Sequence, residues 1–207
     1  MSFLKNSTSF TRFRINEEVP ASLWQEVPDK LRQYCFKDID DLPEKQSWGW
    51  ASFEDMLDVE WKQNPPQKGG EYLAFCLRLE TRRVPPAVIK KHVGLALKKE
   101  EEQIRQINKT FVSRERKKEI KELVLLQLNK RFLPIPAEFQ VIWNTQSNEV
   151  WFSSTQSKML DLFQEFFTQS FGLYLEQLTP YGLAEEILGE AGLAKLDGLQ
   201  ATTFYKS

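Results

Sequence analysis

Alternating apolar and polar positions predict strands near the start of the chain, in its middle and in its second half. The opening segment SFTRFRI alternates, and two later apolar and aromatic runs flank the turn residues Asn144–Asn148. Period-two alternation sends successive side chains to opposite faces of a strand, so that one face can be buried. The predicted strands are Ser9–Ile15, Ser47–Phe53, Glu71–Arg83, Phe139–Trp143, Val150–Phe152 and Gly172–Leu178.

Helical periodicity is found between these strands. Val84-Pro85-Pro86 ends a strand and opens a helix, because proline is tolerated in the first helical turn. Ser113 is placed to cap the following helix. The segment Glu54–Gly70, which contains NPPQKGG, is predicted to be a loop. The predicted helices are Pro20–Gln33 with an interruption at Pro28, Pro85 to about Lys109, Arg114 to about Arg131, Ser157–Phe171, and a weak helix from Pro180 to about Leu188.

The order of these elements predicts an α+β fold in one unit of 207 residues. We expect two β/α halves with mixed antiparallel sheets that flank a pair of long basic helices. The predicted regions are an N-terminal β-α-β-β half (1–83), a basic helical insertion (84–133), a C-terminal β-β-α-β half (134–180) and a helical tail (181–207).

Charge is distributed unevenly, although the formal net charge is only −1. Between Arg78 and Arg131 there are 16 Lys and Arg residues and 7 Asp and Glu residues, a balance of +9 that leaves −10 for the rest. Glu100–Glu102 supply some compensation, but the excess is larger than pairing within the helices would neutralise. Such segregation is informative about partners, and here it favours a polyanion.

Each of the two basic helices is predicted to bury an apolar side and to expose a cationic side. Lysines contact phosphates as point charges, and few Asn, Gln or Arg side chains are placed to pair with base edges. The expected binding mode is therefore independent of nucleic-acid sequence. The predicted buried stripes are Ile89, Val93, Leu97, Ile104, Ile107 and Phe111 in the first helix, and Ile120, Leu123, Val124 and Leu128 in the second.

The residue inventory excludes most metal and hydrolytic chemistry. His92 is the single histidine, and Cys35 and Cys76 lie far apart in the chain. These residues can form neither a His-based zinc site nor a C-x-x-C pair, and a Ser-His-Asp arrangement would need a histidine that lies inside a helix. No G-x-x-x-x-G-K-[ST] loop is present to hold phosphates. We expect a protein that is not an enzyme and that uses no metal or cofactor.

Cysteine usage and hydropathy predict a cytoplasmic location. Two cysteines form no disulfide framework and are expected to be free thiols in a reducing compartment. The opening MSFLKNSTSFTRFRI has no long apolar run, so it is not expected to be a secretory signal. No window is apolar enough to predict a membrane span.

A metal-dependent nuclease is one alternative. Glu60-Trp61-Lys62 forms an E-x-K string, and Asp55 and Asp58 precede it. Nucleases of this kind hold Mg²⁺ with carboxylates and place a lysine near the attacking water. The string borders a proline-rich loop, so a pair of surface charges is the simpler interpretation.

Six segments follow one another in a recognisable order: FLKNSTSFTRFRI, WGWASF, EYLAFCLRLETRRVPPAVIKKHVGLAL, KKEIKELVLLQLNKRFLPIP, FQVIWNTQSNEVWFSS, and TQSKMLDLFQEFF leading to LTP. None of these segments is diagnostic by itself. In this order they resemble the bacterial recombination-associated protein RdgC family, and the resemblance covers about residues 1–180.

This resemblance implies a homodimer that encircles duplex DNA, binds it without sequence preference and restrains the recombinase that loads on DNA. It also implies an association with the nucleoid. Longer family members continue well past the position of Pro180, whereas 27 residues follow it here, so the dimer is expected to be ring-like or open. The candidate DNA-binding residues are Arg82, Arg83, Lys90, Lys91, Lys98, Lys99, Arg105, Lys109, Arg114, Lys117, Lys118 and Lys121.

A protein-interaction module without a nucleic-acid partner is the other alternative. The aromatic residues of the C-terminal half would then form an apolar interface, and the basic helices would bind an acidic protein. These aromatic residues recur at strand and helix periods, which favours a place in the core.

Overall fold

The computed structural model describes residues 3, 8–106 and 111–199, without the side chains of 190, 191 and 193–197. These residues form an α+β fold, as predicted from the sequence. The strands are β1 Thr11–Arg14, β2 Gln46–Ser52, β3 Gln67–Lys68, β4 Tyr72–Thr81, β5 Ile135–Asn144, β6 Glu149–Phe152 and β7 Glu176–Gln177. The helices are α1 Leu23–Gln33, α2 Pro86–Gln106, α3 Arg114–Asn129, α4 Ser157–Phe171 and α5 Pro180–Asp197.

Strands from both predicted halves form one antiparallel sheet. The strand order is β2-β4-β5-β6-β1-β7, and β3 pairs with β4. β4 and β5 pair along their whole length, from Tyr72 opposite Asn144 to Thr81 opposite Ile135. The sequence separates these strands by the helical insertion, but the long register makes them neighbours. α2 and α3 are therefore the connection of a long β-hairpin, and they leave the sheet at one end of it.

The main core lies between one face of the sheet and helices α1 and α4. Strand residues such as Phe75, Trp143 and Phe152 meet the phenylalanines of α4 there. Phe152 stacks on Phe163 with ring centroids 4.1 Å apart. The indole nitrogen of Trp50 donates a hydrogen bond of 2.8 Å to Ser170 Oγ, so this buried polar group is satisfied. The aromatic residues of the C-terminal half form a core here, as their periodicity predicted.

Four elements differ in detail from the sequence-based prediction. α1 continues through Pro28, because Val27 and Leu31 on either side are fully buried and hold the helix against the core. β7 contains only Glu176–Gln177, and β3 forms inside the segment predicted to be a loop. α5 has a non-helical residue at Gly189, directly after the predicted end at Leu188.

Gly49 shows how closely the chain before β2 approaches the sheet. Segment 34–36 runs beside β2, where Trp50 N–H donates to Tyr34 O and Phe36 N–H donates to Trp50 O. A Cβ atom added at Gly49 would lie 2.4 Å from both the Cα and the N of Phe36, far inside van der Waals contact. These are backbone atoms, so the contact cannot be relieved by a change of rotamer.

We therefore expect Gly49→Ala to lower the free energy of unfolding by about 3 kcal/mol, at the upper end of the cost of overpacking. Gly94→Ala is the matched control, because no atom of the described residues lies within 4 Å of the added Cβ and alanine favours the helix. Urea unfolding monitored by tryptophan fluorescence measures both variants. Equal stability of Gly49→Ala and the parent chain would contradict the close approach.

Candidate nucleic-acid interface

Local sequence signals define the α2–α3 pair, which we call the helical hairpin (Pro86–Gln106 and Arg114–Asn129). Pro86 begins α2 directly after Pro85, where a missing backbone N–H costs nothing. Ser113 caps α3, as predicted: its Oγ accepts a hydrogen bond of 3.1 Å from Arg116 N–H. The two helices contact each other along a thin apolar seam that is separate from the main core.

The seam contains most of the predicted apolar stripes. Ile120, Val124 and Leu128 of α3 are buried, and Ile89, Val93 and Leu97 of α2 pack against them while remaining partly exposed. Two expectations are wrong. Phe111 is 77% exposed because it lies before α3 begins, and Leu123 is exposed because it lies outside the face that meets α2. Ile104 is half-buried, and Ile107 lies outside the described residues.

Arg116 links the two helices, a role that sequence reasoning missed. Its Nε donates a hydrogen bond of 2.7 Å to Glu100 Oε1, and its Nη2 donates one of 3.2 Å to Glu100 Oε2. Its Nη1 also donates to Glu119 on α3 at 3.0 Å. The guanidinium hydrogen bond lowers the pKa of Glu100 below its usual range. The spacing of Arg116 and Glu119 suggests their pairing, but only the helix packing brings Glu100 close.

The candidate cations on the helical hairpin are exposed wherever the structure describes them. Lys118 has an acidic neighbour, since its Nζ lies 3.9 Å from Glu122 Oε1. In the described part of the chain, no carboxylate lies within 4.0 Å of the charged nitrogens of the others. Lys109 lies outside the described residues. The exposed cations that have no acidic partner among the described residues are Arg83, Lys90, Lys91, Lys98, Lys99, Arg105, Arg114, Lys117 and Lys121.

Helical geometry separates these cations into different directions. Lys91, Lys98 and Arg105 are seven residues apart, so they form one row along α2. That row lies on the edge of α2 that points away from α3, because Val93 and Ala96 occupy the seam. Arg114, Lys117 and Lys121 form a second row beside the seam on α3. One chain therefore presents two cationic rows, and they do not form a single wall.

Arg82 does not belong to the exposed cationic surface, in contrast to the prediction from the sequence. The sequence groups it with Arg83 as a DNA contact, but its side chain is turned inward and only 2% of the residue is exposed. All five guanidinium N–H groups donate to backbone carbonyls at 2.6–2.8 Å. Arg82 therefore has no donor left for a phosphate, and it ties several chain segments together. The accepting carbonyls belong to Ile39, Asp40, Leu42, Glu44 and Phe132.

The string proposed for a nuclease lies in a surface loop. Asp55 Oδ1 accepts from Leu57 N–H at 2.9 Å, and Asp58 Oδ1 accepts from Glu60 N–H at 3.1 Å, so both carboxylates stabilise turns. Lys62 forms an ion pair with Glu60. Among the described residues, no three His, Cys, Asp or Glu side chains are grouped in a way that would hold a metal ion.

The remaining residues singled out for chemistry are in ordinary surroundings. His92 is half-buried on α2, where it borders a small cleft with Val124 and Leu128. Both cysteines are free thiols. Burial raises the pKa of Cys76 to about 12, which keeps that thiol protonated and unreactive at neutral pH. Among the helices of the described residues, none has the length and apolar character needed to cross a membrane.

The fold and surface together define an α+β protein whose antiparallel sheet carries a basic helical hairpin at one end. A sequence profile described as "Putative exonuclease, RdgC" matches residues 3–188. No curated protein matches the chain. Because the profile match covers most of the 207 residues, the chain belongs to the RdgC family, as its ordered segments predicted. Membership in this family implies a recombination-associated role.

Proposed function

We propose that the protein binds double-stranded DNA without sequence preference, and that the helical hairpin provides the contacts. The observation that carries this proposal is the set of exposed cations on α2 and α3 that have no carboxylate partner in the described part of the chain. Lysine ammonium groups at the surface attract phosphates without reading bases. The hairpin leaves the end of the sheet, which gives a duplex access to both of its cationic rows.

A dimer would make this surface more effective. One chain presents its two cationic rows in different directions, so a second copy is needed to complete a positively charged wall around a duplex. Two modest surfaces on one ligand also raise the effective concentration of the second contact. We propose that such a homodimer, ring-like or open, restrains recombinase access to DNA and that it acts in the cytoplasm on the nucleoid.

Binding should depend steeply on salt and weakly on sequence. We expect the logarithm of the binding constant to fall linearly with the logarithm of salt concentration, with a slope of about −0.9 for each neutralised phosphate. Fluorescence anisotropy on two unrelated duplexes of equal length measures the slopes, and light scattering measures the oligomeric state. Equal slopes and affinities are expected for both duplexes. Failure to bind either duplex at about 50 mM salt would favour the protein-interaction alternative.

The family description names an exonuclease, so the same samples should be tested for cleavage. We propose that the protein is not an enzyme. Both carboxylates before the E-x-K string already accept backbone hydrogen bonds in turns. End-labelled linear duplex incubated with Mg²⁺ or Mn²⁺ is expected to keep its label. Loss of label by the parent chain but not by Glu60→Ala would instead support nuclease activity.

A further inference from the structure

A groove of about 800 Å³ lies at the foot of the helical hairpin. It is bounded by the first turns of α2, the last turns of α3, the adjoining ends of β4 and β5, and the start of α4. This volume is within the range of sites that bind several side chains or a small ligand. The floor is largely aliphatic and includes Leu79, Ile89, Leu125, Ile135, Met159 and Leu162.

Among the described residues, every charged side chain that lines this groove is cationic. Lys45, Arg83 and Lys158 are exposed at the rim, and Arg82 uses its donors on backbone carbonyls. No carboxylate of the described residues lies within 4.0 Å of the three rim cations. The rest of the chain, outside residues 78–131, is strongly acidic, so this uncompensated positive rim is a local feature.

The start of α4 adds to the positive potential. Gln156, the N-cap residue, makes no side-chain capping bond, and the first turn contains no acidic residue. Lys158 lies in that turn, although a positive charge is unfavourable at the positive end of a helix dipole. A carboxylate placed between Lys158 and Lys45 would interact favourably with both side chains and with the helix end.

We propose that the groove binds an acidic, amphipathic peptide segment of a partner protein. Apolar side chains of the peptide occupy the aliphatic floor, and its carboxylates meet Lys45, Arg83 and Lys158. A nucleic acid fits less well, because the floor would remove water from phosphates without replacing their hydrogen bonds. Base stacking would need exposed aromatic rings. Among the described residues that line the groove, the aromatic one is Phe139, and it is half-buried.

This assignment goes beyond DNA binding and shares Arg83 with the candidate DNA surface, so the experiment must distinguish the two. The probe is a fluorescein-labelled peptide of twelve residues in which Asp pairs alternate with Leu and Ile. Two comparison peptides replace Asp with Lys, or Leu and Ile with Ser. The variant Lys45→Glu/Lys158→Glu changes rim residues that are not DNA candidates, and Leu125→Gln changes the floor at a residue outside both core clusters. Lys37→Glu/Lys62→Glu is the control with the same change in net charge.

Of the three peptides, only the acidic amphipathic one should bind the parent chain. Both groove variants should weaken its binding by at least about tenfold. Lys45→Glu/Lys158→Glu replaces attraction with repulsion at the rim, and Leu125→Gln places a polar amide in the aliphatic floor, where apolar peptide side chains would have to cover it. The Lys37→Glu/Lys62→Glu control should change peptide binding by less than about twofold, and duplex binding should stay within about threefold for every variant, as surface changes away from a contact do little.

Absence of peptide binding, or equal peptide binding by the groove variants and the control, overturns the proposal. Two further outcomes would also overturn it if the parent chain binds no peptide. A loss of duplex affinity in the groove variants would assign the groove to DNA, and a loss of self-association would assign it to a second copy of the chain.

Discussion

Arg82→Ala should cost the protein about 3–5 kcal/mol of its free energy of unfolding, because several buried carbonyls would lose a charged donor and each unsatisfied group costs about 1–3 kcal/mol. The guanidinium satisfies five buried or half-buried carbonyls from the segment 39–44 and from Phe132, which follows α3. Truncation would leave these acceptors without donors, and an unsatisfied buried acceptor costs more than the net value of the bond it loses. It would also detach the foot of the helical hairpin from the loop before β2.

The neighbouring arginine provides the control. Arg83 is exposed and forms no ion pair with any described residue, so Arg83→Ala should change stability by less than about 0.5 kcal/mol. Arg82→Lys keeps the charge but offers three donors instead of five, so an intermediate loss is expected. Urea unfolding gives the three values, and hydrogen exchange should show the largest increase in segment 39–44. Similar losses for Arg82→Ala and Arg83→Ala would contradict the structural role assigned to Arg82.

The contrast between Arg82 and Arg83 shows what sequence patterns predict and what they do not. Strand periodicity after residue 71 predicts β4, and it places Leu73, Phe75 and Leu77 on one face. The pattern also predicts a helix after Pro85. It cannot predict that one of two consecutive arginines turns inward, because the five carbonyls come from segments 50 residues downstream and about 40 residues upstream. The residues next to Arg82 in the sequence do not indicate hydrogen-bond acceptors that lie so far away along the chain.

The same argument applies to the joining of the two halves. Each predicted strand exists, but the strand order depends on which strand edges pair. The pairing of β4 with β5 across the helical insertion is determined by tertiary contacts. β1, from the start of the chain, lies between β6 and β7. Composition and element order therefore predicted the α+β class, whereas the single continuous sheet depends on strand pairing that these patterns do not encode. Family membership was predictable from the ordered segments because order is a property of the sequence.

For the candidate site, helical spacing predicted the exposed cations but not their mutual orientation. The apolar stripe of α2 identifies its packed side, and the structure confirms Val93 and Leu97 at the seam. The direction of α3 relative to α2 decides whether two cationic rows converge, and that direction comes from Ile120, Val124 and Leu128 packing on α2. The Arg116 to Glu100 bonds then fix the pair. The packing of α3 on α2 therefore keeps the two cationic rows apart. Each row can be tested by its own set of substitutions.

Reversal of either cationic row should weaken duplex binding by about 10²-fold at 100 mM salt, because three phosphate contacts are lost and three repulsions replace them. The α2 set is Lys91→Glu/Lys98→Glu/Arg105→Glu, and the α3 set is Arg114→Glu/Lys117→Glu/Lys121→Glu. Each set should also make the salt slope about 2.7 units less steep, which is the value for three neutralised phosphates. Anisotropy titrations at several salt concentrations measure affinity and slope together.

The control must change net charge by the same amount elsewhere on the surface. Arg32→Glu/Lys37→Glu/Lys62→Glu does so at exposed positions outside the helical hairpin, and we expect it to weaken binding by less than about threefold, through long-range repulsion that salt screens. Thermal unfolding confirms that each variant remains folded. If the control weakens binding as much as the two sets, the protein attracts DNA through its overall charge and the hairpin has no special role. If only one set matters, a single row forms the contact, and a dimer that surrounds the duplex with both rows is wrong.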